Sequence, residues 1–127
     1  MYKELELELA DGSIQKVPFK ACGTTSWRYY QFTKKEVLKE LAIPNTPENY
    51  NTLDMVYSKL AYIMNKQATA KTASDMANIS EDDYLEWLEN FASMEFCTHS
   101  AELLDIYLNN KETNSDAKKN PGQPTES

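Results

Sequence analysis

The chain has 127 residues, 41% of them hydrophobic and 26% charged, which suits one domain with a modest core and excludes wholesale disorder. Its net charge of −7 at neutral pH repels a phosphate backbone and argues against nucleic acid as a partner. No apolar run approaches the roughly 18 residues of a membrane span, and Met1-Tyr2-Lys3-Glu4 leads into alternating glutamates rather than an apolar signal core; a cytoplasmic chain that does not meet the membrane is expected.

The charge is unevenly spread. Residues 1–71 carry ten Lys/Arg against eight Asp/Glu, whereas 72–110 carry nine Asp/Glu and no Lys or Arg. Such an acidic half either keeps a surface solvated or docks a basic partner.

In chain order, Leu5-Glu6-Leu7-Glu8-Leu9 alternates with period two and predicts a strand with its leucines on one face. Asp11-Gly12 marks a turn. A three-residue loop ending in a left-handed Gly12 sets Leu5 opposite Val17 and Phe19 opposite Lys3, so a bulged hairpin over 3–9 and 13–20 is expected. A lone hairpin is marginal in water and must lean on helices or on a second copy.

Thr24-Thr25-Ser26 offers N-cap chemistry for a helix starting near Ser26, and Thr33-Lys34-Lys35-Glu36 has capping-box form for a restart running to Ala42. Pro44 and Pro47 bracket a loop. Leu53, Val56, Tyr57, Leu60 and Met64 predict a helix over 50–66 with one buried stripe. Residues 68–79 read as a short helix or loop. Ser80 before Glu81-Asp82-Asp83 caps a helix over 81–92 with the stripe Tyr84, Trp87, Leu88 and Phe91. Leu103, Leu104, Tyr107 and Leu108 mark a last helix over 99–110, and 111–127 has too few apolar side chains to order itself. The expected fold is α+β, mainly α: an N-terminal β-hairpin, then a bundle of four to five short helices forming one domain over 1–110, then a flexible tail over 111–127.

Chemistry-bearing patterns are sparse. Cys22 and Cys97 stand far apart and read as buried small apolar residues. His99, the single histidine, reads as structural at a helix start. Three glycines cannot build a phosphate-cradling loop. No cofactor, metal or catalytic residue is expected, and the chain reads as a non-enzyme. The aromatics Trp27, Tyr29, Tyr30, Trp87, Phe91 and Tyr107 are the candidate partner-binding residues.

The order of these features carries a resemblance. A leucine-glutamate hairpin is followed by Gly23-Thr24-Thr25-Ser26-Trp27-Arg28-Tyr29-Tyr30, Lys35-Glu36-Val37-Leu38-Lys39-Glu40-Leu41, Leu60-Ala61-Tyr62-Ile63-Met64-Asn65-Lys66-Gln67-Ala68 and Tyr84-Leu85-Glu86-Trp87-Leu88-Glu89-Asn90-Phe91. Over about residues 1–119 the chain resembles the tail assembly chaperones of long-tailed phages of Gram-positive bacteria. The resemblance implies a cytoplasmic homo-oligomer, absent from the mature virion, that holds the tape measure protein soluble until the tail tube protein displaces it. It also implies two lengths of product, and Lys118-Lys119-Asn120 is encodable by the slippery heptamer A-AAA-AAC. The two halves of unequal charge suggest head-to-tail docking between copies. A structural virion component, of head-tail connector or tail terminator type, and a small regulatory adaptor are the competing classes.

Overall fold

The computed structural model describes residues 1–109. The tail expected over 111–127, with Lys118, Lys119 and Asn120, lies outside the described residues. The fold is α+β and mainly α, with an N-terminal hairpin followed by helices.

Strands β1 (Tyr2–Glu8) and β2 (Ile14–Lys20) pair antiparallel with Leu5 opposite Val17 and Lys3 opposite Phe19, the register expected from burying apolar residues together. Gly12 sits at φ +90°, and the Leu9 amide donates to the Ser13 carbonyl at 2.8 Å to close the loop; an L side chain is strained at that φ. Leu5, Leu7, Val17 and Phe19 are all buried. Their face leans on helix α3 (Tyr50–Thr69), in one cluster with Leu60, Ala61 and Met64, so the hairpin finds its support within the chain.

The first strand ends one residue earlier than expected. Leu9 instead forms a bridge with Phe91, the Ala10 amide donates to Asn90 at 2.9 Å, and the Ala92 amide donates to Glu8 at 3.0 Å. That pairing also explains why helix α4 (Glu81–Leu88) stops short of residue 92: the backbone of 90–92 is committed to the hairpin. Its start is as read, with the Asp83 amide donating to the Ser80 hydroxyl at 3.1 Å.

Helix α1 (Thr25–Thr33) ends on a left-handed Lys34 (φ 63°), and α2 (Val37–Leu41) follows. The capping box read at Thr33–Glu36 does not form. The Thr33 hydroxyl donates back to the Tyr29 carbonyl at 2.8 Å and accepts the Lys35 amide at 3.1 Å, so this hydroxyl closes α1 rather than opening α2.

Helix α3 buries more than the single stripe expected. Leu60, Ala61, Tyr62, Ile63 and Met64 are consecutive and all fully buried, as befits a helix surrounded by its neighbours. Tyr62 and Ile63 face a second cluster with Tyr84, packed on Phe32, Ile79, Trp87 and Leu88. Residues 68–79 contain a 3₁₀ turn, Ala73–Met76, opened by a reciprocal Thr72–Asp75 capping box. The last helix is preceded by the short α5 (Glu95–Thr98), entered through a left-handed Met94, and α6 runs Ser100–Leu108. Cys22 and Cys97 are half-buried, not buried as expected. No helix among the described residues is long and apolar enough to cross a membrane.

A candidate docking surface around Trp27

The N-terminus of α1 is clamped to α3 by a polar network. The buried Thr25 hydroxyl donates to Gln67 Oε1 at 2.7 Å and accepts the Cys22 amide at 2.9 Å, while Gln67 Nε2 donates to the Thr24 hydroxyl at 2.9 Å. Every polar atom drawn into this join has a partner, which is the condition for burying it cheaply. Burial opposes the charged form of the Cys22 thiol, but hydrogen bonds from Thr24 and Thr25 and the nearby Lys20 outweigh it and hold the thiol below its usual range.

With Thr25 turned inward, helical periodicity puts Tyr29 in the core, 1% exposed, and leaves Trp27 and Tyr30 outside at 57% and 46%. Leu38 on α2 adds a further apolar side chain at 60% exposure. The Arg28 guanidinium lies 5.8 Å from the centre of the Trp27 ring, close enough for a cation–π contact.

Trp27 is a ridge between two grooves. On one side a groove of about 350 Å³ is lined by Trp27, Tyr30, Glu36, Leu38 and Tyr107 among others. On the other a groove of about 260 Å³ is lined by Arg28, Gln31, Phe32, Met76 and Ile79 together with Trp27. Both fall at or below the small end of the roughly 300–1,000 Å³ range of ligand pockets, a size for one or two side chains of a partner. The Ser26 and Tyr107 hydroxyls are hydrogen-bonded to each other, which ties α1 to α6 and fixes the first groove's floor.

The six aromatics singled out from sequence therefore divide. Trp27 and Tyr30 share the outer face. Tyr29 and Tyr107 are core side chains, Tyr107 at 6% exposure. Trp87 and Phe91 are half-buried and make tilted and edge-on ring contacts, with centroids 4.9 Å apart from one another and 5.3 and 5.1 Å from Phe96, so both rings are engaged inside the fold. The structure does not bring the six together. Leu38 was missed, although its signal was present: Val37 and Leu41 make the i, i+4 stripe of α2, and Leu38 falls off it.

His99 sits at the α5–α6 junction with Nε2 2.9 Å from Glu95 and Nδ1 against Glu102. The buried Glu95 carboxylate also accepts the Glu8 amide at 2.8 Å. This arrangement joins helices to hairpin, and the grooves beside Trp27 are lined by none of these three residues. Among the described residues no group of three or more His, Cys, Asp or Glu side chains is placed to hold a metal ion. No protein-family model, curated protein or solved structure matches this chain.

Proposed function

We propose that this chain is a non-enzymatic tail assembly chaperone that binds the tape measure protein through the Trp27 surface and keeps it soluble during tail assembly. The observation that supports this reading best is the pairing of an exposed apolar ridge, Trp27, Tyr30 and Leu38, with a groove on each side of Trp27. A long apolar helical client exposes aggregation-prone surface before the tube closes around it. An amphipathic helix laid beside Trp27 covers that surface by inserting side chains into the grooves. No covalent step is required, and the client leaves when tube subunits compete for it.

Self-association belongs to the same reading. Helix α4 presents Leu85, 45% exposed, among the exposed Glu81, Glu86 and Glu89, a face suited to the Lys- and Arg-bearing half of a second copy. A longer product made by slippage at Lys118-Lys119-Asn120 is a further element of it, and the gene's codons there decide that point.

Co-expression of the chain with the tape measure protein, scored for soluble client, tests the proposal. The expected result is soluble client with the wild-type chain and aggregated client with a folded Trp27→Ala/Leu38→Ala variant. Client that is equally soluble with the variant, or insoluble with the wild type, overturns it.

A further inference from the structure

We propose that the open edge of β1 is a strand-addition site, and that its occupant is an extended segment of a partner protein with Lys or Arg at alternate positions. The hairpin is a two-stranded sheet, so each strand has one side that its neighbour leaves unpaired. The phase of the ladder says which peptide groups lie there. The Met1 ammonium donates to the Ala21 carbonyl at 2.8 Å and the Ala21 amide donates back at 3.0 Å, while at the other end the Leu9 amide donates to Ser13. Antiparallel pairs alternate between bonded and non-bonded. With the observed register, Lys3, Leu5 and Leu7 therefore bond to β2, and Tyr2, Glu4, Glu6 and Glu8 turn their amides and carbonyls outward.

Glu8 is already engaged: its amide donates to Glu95 and its carbonyl accepts the Ala92 amide. Among the described residues nothing hydrogen-bonds the outward groups of Tyr2, Glu4 or Glu6, and all three residues are exposed. Such a row is a template for a further strand. The outward side of β2 is closed by contrast. Pro18, opposite Glu4, has no amide to give, and its carbonyl accepts Asn65 Nδ2 from α3 at 2.9 Å.

Charge selects the occupant. Alternate residues of a strand share a face, so Tyr2, Glu4, Glu6 and Glu8 stand together on the side away from the buried Leu5 and Leu7. Among the described residues no Lys or Arg lies within ion-pair distance of Glu4 or Glu6. Residues of an added strand directly opposite these two glutamates lie on the same face, where Lys or Arg is favoured and Asp or Glu opposed. A second copy fits poorly. The antiparallel register that engages all three open residues sets Glu4 against its own counterpart, and the lysine-bearing β2 of a copy is closed by Pro18 and Asn65. The grooves beside Trp27 are lined by no β1 residue, so this inference goes beyond the proposed function and does not depend on it.

The test is two-dimensional NMR of the full-length chain titrated with a peptide as long as β1, seven residues, alternating lysine with threonine, beside one alternating glutamate with threonine. The expected result is that the lysine peptide shifts the Tyr2, Glu4 and Glu6 amide signals and slows their hydrogen exchange, with the Trp27 indole unmoved, and that the glutamate peptide does neither. Glu4→Pro removes an amide that the hairpin does not use and is expected to weaken binding about tenfold or more. Glu4→Lys/Glu6→Lys keeps every backbone group and is expected to reverse the preference, binding the glutamate peptide. A lysine peptide that leaves the β1 amides in place overturns the proposal, as do two peptides that bind alike or a folded Glu4→Pro chain that binds like the wild type. Exchange at these amides that slows with rising protein concentration and no peptide assigns the edge to a second copy, which also overturns it.

Discussion

The Glu95 carboxylate accepts the backbone amide of Glu8 at 2.8 Å across 87 residues of sequence, and the same Oε2 lies 2.9 Å from His99 Nε2. One buried side chain thus fixes the end of the first strand to the junction of the last two helices. Removing it leaves the Glu8 amide without its acceptor at a part-buried join.

Glu95→Ala is expected to lower stability by about 1.5–3 kcal/mol, the range for losing a hydrogen bond to a charged group, read from urea unfolding. Glu95→Gln keeps an amide oxygen for Glu8 and is expected to lose less. Equal losses in the two variants would show that the Glu8 contact contributes nothing of its own.

Two neighbours on α1 separate folding from docking. Tyr29→Ala empties a fully buried ring site and is expected to cost about 3–5 kcal/mol, as for other large aromatics. Trp27→Ala removes an exposed ring and is expected to change stability by less than about 0.5 kcal/mol while abolishing solubilisation of the client. Thermal unfolding beside the co-expression assay checks both, and a Trp27→Ala chain that melts as early as Tyr29→Ala would place Trp27 in the core.

This contrast marks how far the sequence was legible. The hairpin register could be read because period-two leucines and a single left-handed glycine leave one pairing that buries Leu5 with Val17. The N-cap at Ser80 was local chemistry and was equally plain. Which aromatics face outward was not legible, because Trp27, Tyr29 and Tyr30 lie within one turn, and the helix's rotation is set by contacts distant in sequence, the Thr25–Gln67 clamp across 42 residues and the Ser26–Tyr107 hydrogen bond across 81. The shortening of α4 had the same kind of cause: its stripe continues to Phe91, but the pairing of Ala10 with Asn90 and of Glu8 with Ala92 takes the backbone away. The capping-box letters at Thr33–Glu36 misled because a hydroxyl at a helix end can serve either helix.

Asp83 sets an acid-side loss of stability. Its Oδ2 accepts the Tyr62 hydroxyl at 2.6 Å and lies 2.9 Å from Lys66 Nζ, and these two partners hold the carboxyl below its usual value of 3.8. A carboxyl whose pKa is lower folded than unfolded contributes stability fully present above the unfolded value and lost as pH falls through the folded one. Asp54 acts in the opposite sense: burial, only partly offset by the Cys97 and Phe96 amides, raises its carboxyl, so acidification relieves it. Below about pH 4 the Asp83 contribution is therefore being withdrawn, together with those of the exposed Asp11 and Asp75, whose carboxyls hydrogen bonds from Ser13 and from the Lys71 and Thr72 amides also hold low. Asp83→Asn is expected to be less stable than wild type at pH 7 and to fall less steeply below that point, measured by urea unfolding from pH 7 to pH 3. Profiles that run parallel would mean Asp83 has no folded-state preference for its charge.

The clamp beneath the ridge gives the last prediction. Thr25→Val keeps the shape of the side chain but removes the hydroxyl, so Gln67 Oε1 loses its donor and the Cys22 amide its acceptor in one step. Leaving buried polar groups unsatisfied costs about 1–3 kcal/mol. Because this network helps set the rotation of α1, its loss also loosens Trp27 and Tyr30 relative to the floor formed by Ser26 and Tyr107. Thr25→Ser retains the hydroxyl and is expected to stay nearer the wild type in both respects. Urea unfolding gives the stability, and hydrogen exchange at the first-turn amides of α1 gives the local effect: faster exchange in Thr25→Val than its global loss of stability accounts for. Exchange that tracks global stability alone would remove the clamp from any part in positioning the docking face.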